Sequence, residues 1–414
     1  MKKLAVILLV AGVTSCSGGG NATNSSQYEP SLKTANGGPF TRSCQLVPST
    51  LSGTNSYNQN YANGASANDA WTTAGNGISG RVPDLYHFDG TAWNAVVVPP
   101  LNGSSNWNFA QLGPIAAVSP NDVWIAGAGF NHTGSAAVQT FQRRARQGSV
   151  IPFSPPPSYA FPFMLHWDGT SLSVVIQPPA TSTGVQLLNM SAISSTDIWA
   201  TGIHSIESLP RKYFTVVQHW NGTQWTTVPP PETAQSQPAG LATLRANDVQ
   251  FGVNPKNGTP YIARWNGSSF SHEALPLEHG SAVSLINDVE GTPDAGTFVL
   301  GFLNGTSPSP YLAHGGPPWQ TFYLSSVPST SQFIVLSVIR KNYTLAFGFD
   351  STSLDGYVLS YNGLTWTLST NPFGSGQSAT TAAPVPGTTN MWMTAYDSVN
   401  NNEFAQLLHC PAMP

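Results

Sequence analysis

Met164-Leu165-His166-Trp167-Asp168-Gly169-Thr170-Ser171-Leu172 is one copy of a unit that recurs along the chain. Ahead of it stands a second unit, Asn121-Asp122-Val123-Trp124-Ile125-Ala126-Gly127. Asp-Gly between apolar and aromatic runs is a strong hairpin signal, and a two-residue type I′ turn is expected there. The flanking residues are β-branched and aromatic, as strands prefer. A small-residue apolar run, Ile115-Ala116-Ala117-Val118, precedes the second unit. Each copy therefore predicts four strands: a small-residue strand, the Asp-x-Trp strand, the His-Trp strand, and a strand after the Asp-Gly turn. Val-Pro or Pro-Pro, as at Pro99-Pro100 and Pro229-Pro230, stops the last strand because proline cannot donate to a ladder.

The anchors of successive copies are Trp71, Trp124, Trp199, Gln250, Phe298, Leu345 and Trp392, with gaps of 53, 75, 51, 48, 47 and 47 residues by subtraction. The fourth copy reads Asn247-Asp248-Val249-Gln250, then Arg264-Trp265-Asn266-Gly267; the fifth is eroded to Ala313-His314-Gly315-Gly316. Four-stranded repeats of roughly 40–50 residues are the signature of propeller blades. The expectation is an all-β, seven-bladed β-propeller of four-stranded antiparallel blades over residues 40–414. The seventh copy stops at Leu408-His409-Cys410, so Thr41-Arg42-Ser43-Cys44-Gln45-Leu46-Val47-Pro48 is expected to close the last blade as its outer strand.

The N-terminus carries Met1-Lys2-Lys3, an apolar run from Leu4 to Val13, and then Thr14-Ser15-Cys16. This reads as a signal peptide and resembles a bacterial lipobox. The resemblance implies residues 1–15 as the leader, a lipid on Cys16, and outer-membrane or cell-surface anchoring; an ordinary secretory signal is the alternative. Residues 16–39 are rich in Gly, Ser and Asn and read as a flexible tether. With Cys16 lipidated, Cys44 and Cys410 remain as an even pair in an oxidising compartment, either a disulfide or two buried thiols.

Charged residues make up 8% of the chain. Removing Lys2 and Lys3 leaves 13 basic against 19 acidic residues, a charge of −6. No basic stripe suggests a nucleic-acid partner. No phosphate loop, HExxH helix, GxSxG elbow or CxxC pair is present, and no cofactor or metal is expected. His87, His166, His219, His314 and His409 recur at equivalent positions of different repeats, so a hydrogen bond within each repeat is expected rather than one shared ion. Asp69, Asp122, Asp197 and Asp248 are expected to accept backbone N–H bonds in Asx turns.

The repeat resembles a bacterial secreted propeller repeat, and more distantly kelch, galactose-oxidase and Asp-box blades. It departs from the Asp-box in having Asp and Gly adjacent. The resemblance implies a fold and is silent on activity. Function in such folds sits in connections that break the repeat. Two are singled out. Leu101 to Leu112 carries Asn106, Trp107 and Asn108, and the insertion from Ala128 to about Phe161 carries Arg143, Arg144, Arg146 and Tyr159. Trp107 either stacks on a sugar between the two amides or folds over its own loop. The arginines either grip an anionic group or form a solvated loop. The Glu207-bearing loop from His204 to Lys212 is a weaker candidate. The reading is an anchored, monomeric recognition or scaffold protein for a glycan or protein ligand. The alternative is a glycan-acting hydrolase or lyase with two carboxylates in a central pocket.

Overall fold

The computed structural model describes residues 45–46, 59–74, 84–99, 109–130, 160–175, 184–206, 212–278, 280–303, 309–316, 318–322, 324, 327, 331–352, 356–370, 377–386, 388, 390–397 and 406–411. All of them belong to the compact unit Leu32–Pro414.

The first strand among the described residues is β1 (Gln45–Leu46), and six sheets follow, each from four strands consecutive in sequence. The first holds β2 (Gln59–Ser66), β3 (Asp69–Ala74), β4 (Asp84–Phe88) and β5 (Trp93–Val96). The second holds β6 (Phe109–Ser119), β7 (Asp122–Phe130), β8 (Ala160–Trp167) and β9 (Leu172–Val175). The third holds β10 (Val185–Ser194), β11 (Asp197–Ile206), β12 (Lys212–Trp220) and β13 (Trp225–Val228). The fourth holds β14 (Ser236–Arg245), β15 (Asp248–Pro255), β16 (Tyr261–Trp265) and β17 (Phe270–Ala274). The fifth holds β18 (Val283–Thr292), β19 (Gly296–Leu303), β20 (Pro310–Gly315) and β21 (Gln320–Thr321). The sixth holds β22 (Ser331–Arg340), β23 (Tyr343–Asp350), β24 (Gly356–Tyr361) and β25 (Trp366–Thr370). A smaller seventh sheet joins β26 (Gln377–Pro384), β27 (Asn390–Asp397) and β28 (Gln406–Pro411) to β1, in the order β1-β28-β27-β26. Gln45 pairs with His409 and Leu46 with Leu408, antiparallel.

Every anchor residue lies on the second strand of its sheet and faces the same position of the third. The pairs are Trp71 with His87, Trp124 with His166, Trp199 with His219, Gln250 with Arg264, Phe298 with His314, Leu345 with Ser360, and Trp392 with His409. A strand shows alternate side chains to opposite faces, so a shared register puts equivalent residues on the same face of every sheet. The core lies between sheets. Leu112, Ile115 and Ile125 of the second sheet pack with Trp71 and Leu85 of the first, and Phe298 and Leu312 of the fifth with Phe333 and Leu336 of the sixth.

First strands lie beside first strands, and polar side chains bridge them. Asn63 Nδ2 donates to Ile115 O at 2.9 Å and Asn287 Nδ2 to Phe333 O at 2.8 Å, and from the second strand β15 Asn254 Nδ2 donates to Ile286 O at 2.8 Å. Asp288 accepts from Leu336 N at 2.8 Å and Glu290 from Val338 N at 3.0 Å, both on β22 of the next sheet. Burial pushes the Asp288 carboxyl up to about 6; burial, and then the nearby Asp288, push Glu290 well up.

The hairpins between third and fourth strands differ from the expected two-residue type I′ turn. Trp167 pairs with Leu172, Phe88 with Trp93 and Trp220 with Trp225, leaving four residues in each loop. The carboxylate of Asp168 organises the loop: Oδ1 accepts from Thr170 N at 2.8 Å, Ser171 N at 2.7 Å and Thr170 Oγ1 at 2.7 Å. Asn221 and Asn266 do the same with their amide oxygens. These bonds favour the ionised form and hold the Asp168 carboxyl well below the usual range. Gly169 follows at φ +90°, where a side chain would be strained and a Cβ would also meet Asn121 Oδ1 at 2.6 Å.

Candidate functional site

The recurring His, Asp and Trp form one structural unit. His166 Nε2 bonds Asp122 Oδ1 at 2.9 Å, Trp124 Nε1 donates to that same oxygen at 3.0 Å, and the imidazole stacks on the Trp124 ring with centroids 4.2 Å apart. The third sheet repeats it: His219 and Asp197 at 2.8 Å, Trp199 and Asp197 at 2.9 Å, rings 4.2 Å apart. In the first sheet His87 bonds Asp69 at 2.9 Å and stacks on Trp71 at 4.3 Å. These three histidines bond within their own sheets, as the repeat implied, and His314 Nε2 bonds Ala295 O at 2.7 Å in the fifth; the His409 side chain lies outside the described residues. The role expected for the aspartates is corrected: Asp122, Asp197 and Asp69 take ring N–H or imidazole partners in place of backbone Asx bonds. The reason is register. Asp122 opens β7, so its side chain lies on the same face as Trp124, two residues on, and as His166, which pairs with Trp124.

At five junctions the residue that follows the third-strand partner of an anchor covers the anchor ring of the preceding sheet. Trp167 lies 5.4 Å from Trp71, Trp220 4.7 Å from Trp124, Trp265 5.3 Å from Trp199, and Tyr361 5.5 Å from Phe298. Phe88 stands in the same relation to Trp392, at 5.5 Å.

Between the fourth and fifth sheets the pattern lapses. Gln250 replaces the anchor tryptophan and Arg264 the histidine, while Gly315 stands where the covering ring would be. A cavity of about 350 Å³ results, lined by Leu244, Arg245, Asp248, Gln250 and Arg264 on one side and Pro293, Gly296, Gly315 and Gly316 on the other. Asp248 keeps its partner role with new donors: Arg264 Nε at 3.0 Å, Arg264 Nη2 at 2.8 Å and Gln250 Nε2 at 2.8 Å. Its expected Asx turn is likewise replaced. Arg264 Nη1 also lies 3.8 Å from Glu273, which accepts Trp319 Nε1 at 2.6 Å. Gln250 is 1% exposed, and its Oε1 is buried with no hydrogen-bond partner. The sequence carried the signal, in Gln250, Arg264 and Gly315 at three repeat positions, but the three adjoin only across two sheets.

The cavity sits where β14 turns into β15 and β18 into β19. The sequence-chosen loops join the opposite strand ends. Asn106, Trp107, Asn108, Arg143, Arg144, Arg146 and Tyr159 lie outside the described residues, as do Cys16 and Cys44. Cys410 lies on β28. Of the third candidate loop, His204 ends half-buried on β11 and Lys212 opens β12; Glu207 and Arg211 are outside the described residues. Among the described residues no three His, Cys, Asp or Glu gather as a metal site.

No protein-family model matches the chain, and no curated protein matches its sequence. Solved structures do match in shape. YCF48 bound to D1 peptide aligns at TM-score 0.51 and 13% identity over 90% of this chain and 96% of that one. YCF48 from Cyanidioschyzon merolae aligns at 0.53 and 10% over 90% and 99%. The Hadza microbial sialidase Hz136 aligns at 0.50 and 10% over 86% and 65%. The fold is that of the β-propeller proteins. At these identities the likeness is one of fold alone.

Proposed function

We propose that the seven sheets are the blades of one closed propeller, and that this propeller is a recognition or scaffold module rather than a catalyst. Three contacts support closure: β26 packs against β2, Trp392 Nε1 donates to Ser66 O at 2.9 Å, and Phe88 covers Trp392. The observation that carries the functional reading is the commitment of the repeat. His87, His166 and His219 are each tied to an aspartate and a tryptophan of their own sheet, so the residues best suited to acid–base work hold the scaffold together. Recognition is then left to places where the repeat breaks.

The connection bearing Asn106, Trp107 and Asn108 and the insertion bearing Arg143, Arg144, Arg146 and Tyr159 both join strands of the second sheet or lead into it. In this proposal they form one cleft for a glycan, with Trp107 stacking on the sugar and the arginines taking an anionic substituent. The protein is exported and held at the outer membrane by lipid on Cys16. A Cys44–Cys410 disulfide fixes the small seventh sheet, next to the pair Gln45 and His409.

A glycan array probed with the chain bearing Cys16→Ser tests this reading. Trp107→Ala should lose the bound glycan at unchanged melting temperature, whereas Trp167→Ala should lower the melting temperature. Unfolding by Trp107→Ala would make it a core residue and end the site. Turnover of a glycan substrate would replace recognition by hydrolysis.

A further inference from the structure

We propose that Asn257 is a modification site: among the described residues it is the Asn-Gly pair that the fold leaves open to spontaneous deamidation. The dipeptide occurs at five described positions, Asn63-Gly64, Asn221-Gly222, Asn257-Gly258, Asn266-Gly267 and Asn362-Gly363. Sequence treats them alike, as an asparagine amide beside a backbone N that no following side chain shields. The structure separates them. At the hairpins the amide oxygen is held. Asn221 Oδ1 accepts from Thr223 N at 3.0 Å, Thr223 Oγ1 at 2.7 Å and Gln224 N at 3.0 Å. Asn266 Oδ1 accepts from Ser268 N at 2.9 Å, Ser268 Oγ at 2.8 Å and Ser269 N at 3.0 Å. Asn362 Oδ1 accepts from Leu364 N at 3.0 Å and Thr365 N at 2.9 Å. Turning any of these amides toward the next backbone N breaks those bonds. Asn63 is held at both ends of its amide: Nδ2 donates to Ile115 O at 2.9 Å, and Oδ1 accepts from Gly64 N at 2.8 Å, the N–H that would have to react.

Asn257 differs from all four. It lies in the connection from β15 to β16, where residues 256–259 are exposed, and its side chain has no hydrogen bond among the described residues. The base of the connection is fixed, with Val253 paired to Tyr261 and Lys256 N donating to Gln235 O at 2.8 Å. Its tip is open. Around Gly258, at φ +140°, the nearest atom to a Cβ position is Pro255 Cγ at 3.3 Å, so water and base reach the backbone N.

The reaction needs only water and a general base from solvent. Gly258 N loses its proton and attacks Asn257 Cγ, forming an N–Cγ bond. The Cγ–Nδ2 bond breaks, and ammonia leaves with a proton. Water then opens the cyclic imide. Attack at Cγ gives aspartate; attack at the α-carbonyl gives isoaspartate, with the chain running through the side chain. Either product has one oxygen in place of one NH and places a carboxylate next to Lys256. This connection is the fourth sheet's counterpart of the insertion bearing Arg143, Arg144 and Arg146, since both join a second strand to a third. The new charge therefore appears at the same strand ends as the glycan cleft proposed above, although the reaction does not depend on that cleft.

The test ages the full chain in mildly alkaline buffer, folded and in urea. Peptide mapping by mass spectrometry, with digestion at mildly acid pH, then follows each Asn-Gly pair separately. In the folded protein Asn257 should convert first. Asn221, Asn266 and Asn362 should convert about tenfold more slowly or less, the worth of one or two net hydrogen bonds, and Asn63 should stay intact. In urea the five rates should converge, because the ranking is a product of the fold. Asn257→Asp, one of the two products, should leave the melting temperature unchanged, since no bond to the side chain is lost. An intact Asn257 in the aged folded protein, hairpin asparagines converting as fast as Asn257, the same ranking in urea, or a melting temperature lowered by Asn257→Asp would each overturn the proposal.

Discussion

Replacing Trp199 by alanine tests whether the repeated stack is what binds one sheet to the next. Trp199 is 1% exposed, stacks on His219, donates to Asp197 and meets Trp265 and Phe270 of the fourth sheet. A buried tryptophan removes roughly 200 Å² from water, which at about 25 cal/mol/Å² is ~5 kcal/mol. Measured losses for Trp→Ala in cores fall at about 3–5 kcal/mol. Asp197 retains His219 as a partner, so the lost indole bond adds little beyond this. Unfolding entropy of about 2.1 cal/mol/K per residue, over roughly 380 residues, gives ~0.8 kcal/mol/K. The expected fall in melting temperature is therefore about 4–6 °C, on a two-state reading. Scanning calorimetry measures it, with Leu364→Ala, at an 81% exposed hairpin position, as the unaffected control. A fall no greater than the control's would refute the stack as the joint between sheets.

Other expectations follow from the same contacts. Asp288 and Glu290 titrate above their unfolded values, so the stability they contribute is complete below about pH 4 and is lost as pH rises through 6 and beyond; Glu290→Gln, which still accepts Val338 N, should flatten that loss in denaturant titrations run across pH. Gly202→Ala should cost about 1–3 kcal/mol or more, because a Cβ would lie 2.1 Å from Gln186 O and 2.7 Å from Leu187 Cα, both backbone; urea unfolding measures it. Asp168→Ala frees Thr170 and Ser171 N–H at an exposed hairpin and should raise amide hydrogen exchange at those two residues without unfolding the sheet. Mass mapping under non-reducing conditions should find Cys44 linked to Cys410, and free thiols at both would remove the staple.

The sheets were legible because the sequence spells them out in tryptophan and Asp-Gly. Trp71, Trp124, Trp199, Gln250, Phe298, Leu345 and Trp392 all fall on the second strand of their sheets, including the three that are not tryptophan. The length of the hairpin loop was not legible. An Asx bond network extends the turn to four residues, and Asp-Gly alone does not distinguish that from a two-residue turn. The partner of each leading aspartate is hidden in the sequence for a related reason. Asp122 looks like a turn residue in sequence, and only cross-strand register brings it against His166, 44 positions away. The cavity was hidden differently. Gln250 and Gly315 each look like simple erosion of a copy, and become a site only when one sheet is set against its neighbour.

The short pairing of β1 with β28 has a mechanical consequence. Because the two strands are antiparallel, the start of β1 and the end of β28 lie at the same end of the ladder. Tension between the two chain ends would load its hydrogen bonds one after another, as in opening a zipper, instead of shearing them together. With two residues in β1, little force is needed along that direction. A covalent link across the same seam would bear that load in place of the two paired residues.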